Sequence, residues 1–362
     1  MSGSATTSLT LGYYPGCSQT GTAAEYDRSS RACCQALGVR LVDVPDWTCC
    51  GSTPAHTVDH VLAGALAARN LLQAERIGHD RVATPCPSCL AALRTASQHL
   101  AQDVQPDSNA PEDMAPSFRA EVERLLDRPA PLRASAVSVL QVLAEDVGIA
   151  AIASAVKKPL TGLRVAPYYG CLLNRPPGLM AFDDPENPTA LDRVLTACGA
   201  TVVDFPFKTE CCGAAFGMPR LDIMQRLSAR ILDMADTCGA DVIVVACPLC
   251  QMNLDLRRGQ VNDHSRRQGG REFSLPAPYF TQLLGLALGL AEADLGLDKL
   301  VLDLRPVLEA ARAREQKRAL EVAAVAAAKT AAKAAAKADG TSGQKPGKPG
   351  SEPGPKEDAP CA

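Results

Sequence analysis

Very little separates the two signs of charge in this chain. Thirty-seven lysines and arginines face 40 aspartates and glutamates, a net charge of −3 at pH 7. That balance gives no case for nucleic acid or an anionic membrane surface as a partner. Long apolar runs are also missing. The longest, near LLGLALGLA (283–291), is too short to span a bilayer, and acidic residues follow it. The start, MSGSATTSLT, is polar and lacks the basic, apolar pattern of a secretory signal. The expectation is a soluble, cytoplasmic chain. Two redox fingerprints are absent as well. There is no C-x-x-C-x-x-C-x-x-x-C-P run, so no ferredoxin-type cubane by motif. There is no G-x-G-x-x-G after a strand, so no flavin or nicotinamide site by motif.

What the chain has in excess is cysteine, 15 in 362 residues. In a reducing cytosol, clustered cysteines bind metal or do redox chemistry more often than they pair as disulfides. Ten of them form two matched groups: Cys17, Cys49, Cys50, Cys86 and Cys89, then Cys171, Cys211, Cys212, Cys247 and Cys250. The gaps from Cys17 to Cys49 and from Cys171 to Cys211 are 31 and 39 residues. Those from Cys50 to Cys86 and from Cys212 to Cys247 are 35 and 34. The flanks repeat too: YYPGC with YYGC, WTCCG with TECCG, VATPCPSC with VVACPLC. An offset of 154 to 162 residues marks an internal duplication of domain size, not a solenoid.

Each cysteine position follows a strand-like run: LTLGYY, VRLVDVP (39–45), LRVAPYY, TVVDFPF and DVIVVA. Helical patterns such as 58–78 and 220–239 fill the gaps. Alternating strand and helix implies an α/β fold with parallel sheets flanked by helices. Ligands of such sheets gather at the carboxyl ends of the strands, where all ten repeated cysteines fall. The expected organisation is a first cysteine-rich domain over 8–150 and a second over 151–305. An Ala/Lys-rich helix over 306–338 and a compositionally disordered tail over 339–362 follow. Residues 102–116 and 257–272 read as exposed polar loops.

The adjacent cysteines limit the chemistry. A disulfide between neighbours is strained, and two adjacent thiolates are an awkward bite for one zinc. Structural zinc also needs four ligands, not five. A group with several metal atoms removes the bite problem, because Cys49 and Cys50 then reach different irons. The plainer alternative is that the two Cys-x-x-Cys pairs are zinc or thioredoxin-like sites and the rest are buried thiols.

The doubled pattern C-x31–39-C-C-x34–36-C-x-x-C resembles the cysteine-rich CCG domain, and its tandem form resembles the B-type subunit of CoB–CoM heterodisulfide reductase. The likeness covers about residues 8–305, including PAPYFTQLLGLALG (276–289) as a closing segment. Related subunits occur in heterodisulfide reductase-like complexes of sulfur oxidisers, thiol-linked fumarate reductases, and glycolate and lactate oxidases. The resemblance implies two noncubane [4Fe-4S] clusters. One would be ligated by Cys17, Cys49, Cys50, Cys86 and Cys89, the other by Cys171, Cys211, Cys212, Cys247 and Cys250. It implies a thiol/disulfide oxidoreductase, with the reactive iron beside Cys49, Cys50, Cys211 and Cys212 and no catalytic side chain identified. Each cluster would donate one electron and capture one sulfur of the substrate. The implied partners are the ferredoxin-like C-type and flavoprotein A-type subunits of such a complex, with a lipoate-binding protein as a candidate thiol carrier. The family's histidine shortly before the second half has no counterpart in SAVSVLQVL (135–143). A non-catalytic electron-transfer subunit that couples a dehydrogenase to a quinone pool is the rival reading, and a zinc protein the second.

Other candidates stand outside the motif. Cys33 and Cys34 read as buried thiols on an amphipathic helix, and Cys198 and Cys238 as core residues at helix ends. Cys361 lies in the tail. His56 and His60 follow the first Cys-Cys-Gly at helical spacing, either as a solvated face or as proton donors to a leaving thiolate. Lys208 and Arg220 flank the second Cys-Cys-Gly, either as surface charge or as holders of an anionic substrate.

Overall fold

The computed structural model describes residues 9–102 and 117–339. The expected tail over 339–362 beyond its first residue, Cys361 within it, and most of the polar loop 102–116 lie outside them.

Two parallel sheets organise the chain. The first has the order β2-β1-β3-β4, with β1 Leu9–Tyr13, β2 Val39–Asp43, β3 Arg81–Thr84 and β4 Ser135–Ser138. The second has the order β6-β5-β7, with β5 Arg164–Tyr168, β6 Thr201–Val202 and β7 Val242–Val245. All pairings are parallel. In both sheets the chain starts centrally, crosses to one side and returns to the other, so a switch point opens at the strand ends.

The connecting helices of the first half are α1 Ala24–Ala36, α2 His60–Arg76, α3 Pro87–Gln102 and α4 Phe118–Leu126. In the second half α5 Ala190–Ala197 and α6 Leu221–Thr237 come first. Then α7 Pro248–Gln251 runs into a π-turn over Met252–Leu256, followed by α8 Arg258–Arg267 and α9 Phe280–Leu288. The side chain of Asp59 caps α2, accepting from the Val61 and Leu62 amides.

Three expectations change. Residues 257–272 are not a loop, because α8 occupies most of them; it buries Arg258, Val261 and Ser265 against the domain. TVVDFPF contributes only Thr201 and Val202 as a strand, with the Val203 amide donating once more to the Val165 carbonyl. And β4 is a strand that four residues, SAVS, are too short to announce.

The halves share one core. Residues up to Ala313 make one compact unit, and a second unit begins at Arg314. The final helix, α10 Arg305–Asp339, covers the Ala/Lys-rich segment expected over 306–338. Across the halves, α1 packs on α9. Ser29 and Thr281 hydroxyls lie 2.6 Å apart, and the Cys33 thiol donates to the Thr281 carbonyl. Residues 276–279 lie beside β7 as β4 lies beside β3: the Ile243 and Val245 amides donate to the Pro276 and Pro278 carbonyls. Among the described residues, no helix is long and apolar enough to cross a membrane.

Candidate metal centres

Each half brings five sulfurs to the carboxyl ends of its strands by the same local devices. Cys-Pro-x-Cys is one of them. Pro87 and Pro248 open α3 and α7, and proline suits a first helical position because its missing N–H has no helical partner there. The two cysteines then stand before and inside one helical turn, three residues apart and on the same side. A second device holds the Cys-Cys loop. Tyr14, just after β1, donates its hydroxyl to the Thr48 carbonyl at 2.8 Å, and Tyr168, ending β5, donates to the Glu210 carbonyl at 2.6 Å. Both carbonyls immediately precede the cysteine pair. The repeated YY flank carries this clamp, and only the hydrogen bonds reveal its purpose.

Cys50 and Cys89 sulfurs lie 3.3 Å apart, and Cys212 and Cys250 sulfurs 3.6 Å apart. The glycine amide after each pair points to the first sulfur of the pair, Gly51 to Cys49 at 3.4 Å and Gly213 to Cys211 at 3.3 Å. Cys50, Cys86, Cys89, Cys212, Cys247 and Cys250 are buried, while Cys17 and Cys211 are exposed and Cys49 and Cys171 half-buried.

The electrostatics tie each set together. Burial, then the neighbouring charges of Cys49, Cys50 and Cys86, pushes the Cys17 thiol up. Hydrogen bonds to Cys50 and Cys86 push Cys89 up, and those to Cys212 and Cys247 push Cys250 up. The hydrogen bond with Cys211 does the same to Cys171, with Cys212 and Cys247 adding their charges. The opposite partners go down: Cys50 to about 6 through Cys89, and Cys211 to about 6 through Cys171, both against burial. Five thiolates this close cannot all ionise without cations among them. Among the described residues, no group of three or more His, Cys, Asp or Glu side chains has the spacing to hold a metal ion.

The donor set fits an iron–sulfur group. Every candidate ligand is a cysteine, five per set. Space at the sulfurs is kept by Gly16 and Gly170. A Cβ there would stand 2.9 Å from the Cys89 and Cys250 sulfurs respectively, and both glycines have positive φ.

The remaining candidates divide. Cys33, Cys34 and Cys198 are buried, and Cys238 ends α6 half-buried. The Lys208 ammonium is held by Asp192 at 2.6 Å and the Pro188 carbonyl at 3.0 Å, and Asp192 also accepts from the Tyr169 hydroxyl. Arg220 is exposed and pairs with Asp222. Neither cation is aimed at the sulfurs. Between the two sets lies a pair no motif announced: Tyr26 of α1 and Tyr279 before α9 stack with ring centroids 4.0 Å apart at 4°. Both feel Cys86 of the first set and Cys247 of the second. The Tyr279 hydroxyl is buried without a hydrogen-bond partner.

The cysteine-rich domain model (CCG) matches residues 11–94 and again 165–255. The 8-methylmenaquinol:fumarate reductase membrane anchor subunit of Wolinella succinogenes is 32% identical over 294 residues, covering 80% of this chain and 96% of that protein. The B-type subunit of the ferredoxin/F420H2-dependent CoB–CoM heterodisulfide reductase of Methanosarcina acetivorans is 30% identical, covering 80% and 92%. The chain belongs to the family of heterodisulfide reductase B-type subunits, tandem cysteine-rich-domain proteins. As a family member it is an iron–sulfur type of oxidoreductase subunit, made to work in a multi-subunit complex. Among solved structures, a hypothetical protein from Helicobacter pylori shares the fold at a TM-score of 0.61 and 13% identity, over 81% of this chain and 51% of that one. This chain thus spans about half the length of that protein.

Proposed function

We propose that this family member is the catalytic iron–sulfur subunit of a heterodisulfide reductase-like complex. It would interconvert a disulfide with two thiols, with one noncubane [4Fe-4S] cluster in each half. The observation that carries the reading is the repetition: two five-cysteine sets, at matching strand ends, flank one tyrosine pair within a single compact unit. When bound, the clusters would supply two one-electron centres, the number a disulfide needs: RS–SR′ + 2e⁻ + 2H⁺ gives RSH + R′SH. The cysteines of residues 8–150 and 151–305 would each hold one. Cys17 and Cys211 are exposed, so each set keeps a side open to an incoming sulfur compound. The ferredoxin-like C-type and flavoprotein A-type subunits would bring electrons in the cytoplasm. Run oxidatively, a lipoate-binding protein would bring the thiols.

The likeness to the fumarate reductase subunit favours a second reading, an electron-transfer subunit of a dehydrogenase or fumarate reductase complex. The readings separate on anaerobically purified, oxidised protein titrated with small thiols and disulfides while its paramagnetic resonance is recorded. The catalytic reading expects a new or shifted signal with at least one thiol. Spectra untouched by all of them leave the electron-transfer reading. Zinc without acid-labile sulfide ends both.

A further inference from the structure

Beside the first cysteine set lies a cavity of about 300 Å³. Ser52, two residues after Cys50, and Ser88, between Cys86 and Cys89, are among the residues that line it. Leu172, next to Cys171 of the second set, lines it too. Its walls are small residues on two helices: Ala63 and Gly64 of α2, and Ala91, Ala92 and Ala96 of α3. Gly64 has no room to be larger, because a Cβ there would collide with the Phe118 ring.

The second half carries larger side chains at the matching places. Gly51 backs onto Ala63, and Gly213 backs onto Met224 in the same way, so Ala63 and Gly64 correspond to Met224 and Gln225. The Cys89–Cys250 register pairs Ala91, Ala92 and Ala96 with Met252, Asn253 and Arg257. Every small wall residue is replaced by a longer one. Asn253 fills the space by donating to the Cys212 carbonyl at 3.1 Å, and Arg257 reaches Asn253 at 3.3 Å. Five small side chains of the first half thus line the cavity where the duplicated frame of the second half carries larger ones.

Its chemistry is selective. No lysine or arginine is among the described residues lining it, so a multiply anionic ligand finds no fixed cation. His56, His60 and His99 stand exposed along it. Their imidazoles can give or take hydrogen bonds. Phe118 sits between two of them: its ring centroid is 6.1 Å from His60, nearly parallel, and 5.4 Å from His99, edge-on. Small apolar walls, an aromatic edge and imidazoles without cations suit an uncharged flat ring carrying hydrogen-bonding oxygens.

We propose that this cavity binds a ring of the quinone and hydroquinone class beside the first cysteine set. The proposal rests on the reading that Cys17, Cys49, Cys50, Cys86 and Cys89 hold an iron–sulfur redox centre. A bound hydroquinone would give up two electrons in turn, the first passing on to the redox group of the second cysteine set before the second arrives, and two protons to water, leaving the quinone. The arrangement serves either proposed function, since it concerns where electrons enter or leave.

The test uses the full chain, purified without oxygen and assayed for iron and sulfide. It is titrated with 2-heptyl-4-hydroxyquinoline N-oxide, a fluorescent quinone-site ligand, by quenching. One saturable site is expected. Ala92→Asn and Ala63→Met, which copy the second half from two different walls, should each weaken binding about tenfold or more. Met252→Ala, in the filled counterpart, should leave it unchanged. Absent or non-saturable quenching by protein with full iron and sulfide overturns the proposal and leaves the cluster reading standing. So does equal affinity in both filling variants, or displacement of the probe by glutathione disulfide but not by menadione. Protein carrying zinc and no sulfide overturns the cluster reading and this proposal with it.

Discussion

At the scale of single residues, the candidate ligands were legible in the sequence alone, because a cysteine at a fixed spacing needs no tertiary context to be noticed. On the proposed reading of one cluster per half, replacing Cys50 or Cys212 with serine should cost one cluster and leave the other. Iron should fall from about eight to about four per chain, by metal analysis after anaerobic reconstitution. Iron content unchanged in both variants would remove these residues from the ligand set. The glycines before the first cysteine of each set make a subtler case. Gly16 and Gly170 need positive φ, and a methyl group at either would press on a sulfur at 2.9 Å. Gly170→Ala should destabilise the fold by about 1–2 kcal/mol through the backbone alone, and lower iron retention in the second half. Chemical denaturation and iron counts read the two effects separately. The tyrosine clamps were not legible. YYPGC and YYGC were visible as a repeat, but a hydroxyl aimed at the carbonyl 34 or 42 residues away is a product of chain folding.

At the scale of elements, the strands and long helices followed from apolar runs and periodicity, and the Cys-Pro-x-Cys helix starts from the fixed φ of proline. Elements went unread where tertiary burial overrode composition. RRGQVNDHSRRQGGRE is polar enough to read as loop, yet α8 forms because Val261 and the stem of Arg258 are buried. The Arg258 guanidinium reaches the Leu254 and Phe273 carbonyls, and burial lowers its pKa to about 10. Nearby, Asp255 is fully buried in the π-turn after α7, accepting from the Val301 amide at 2.9 Å and from Gln251 at 3.1 Å. Burial raises its carboxyl above the usual range. The folded chain therefore keeps a proton that the unfolded chain has released. Its contribution to stability is most favourable at acid pH and declines as pH rises through the raised value. Urea midpoints measured from about pH 4 to pH 7 should show this decline, and Asp255→Asn should flatten it. An unchanged slope in the variant would place the pH dependence elsewhere.

At the scale of the whole molecule, the two halves are joined through α1 and the segment leading into α9, with Tyr26 and Tyr279 stacked at the seam. Tyr26 also meets Phe280 edge-on and donates to the Ala246 carbonyl, next to Cys247. Tyr26→Ala should cost about 3–5 kcal/mol, as large buried aromatics do. On the proposed reading it should also perturb the spectra of both clusters, because the buried Tyr26 hydroxyl feels the charges of Cys247 and Cys86 together. A large loss of stability with both spectra intact would make the pair a packing device only.

The sequence by itself determined the duplication, the ten cysteines and the alternation of strand and helix, because each is a local pattern written in spacing and residue type. Tertiary structure alone decided which side of each cysteine set is open, how the halves share a core, and that small residues of two helices line a cavity beside the first set. The physical reason is that space and contact are properties of side chains distant in the chain. Ala92 and Asn253 occupy the same place in the repeat, and the fold sets the smaller one at a cavity wall and ties the larger one to the Cys212 carbonyl.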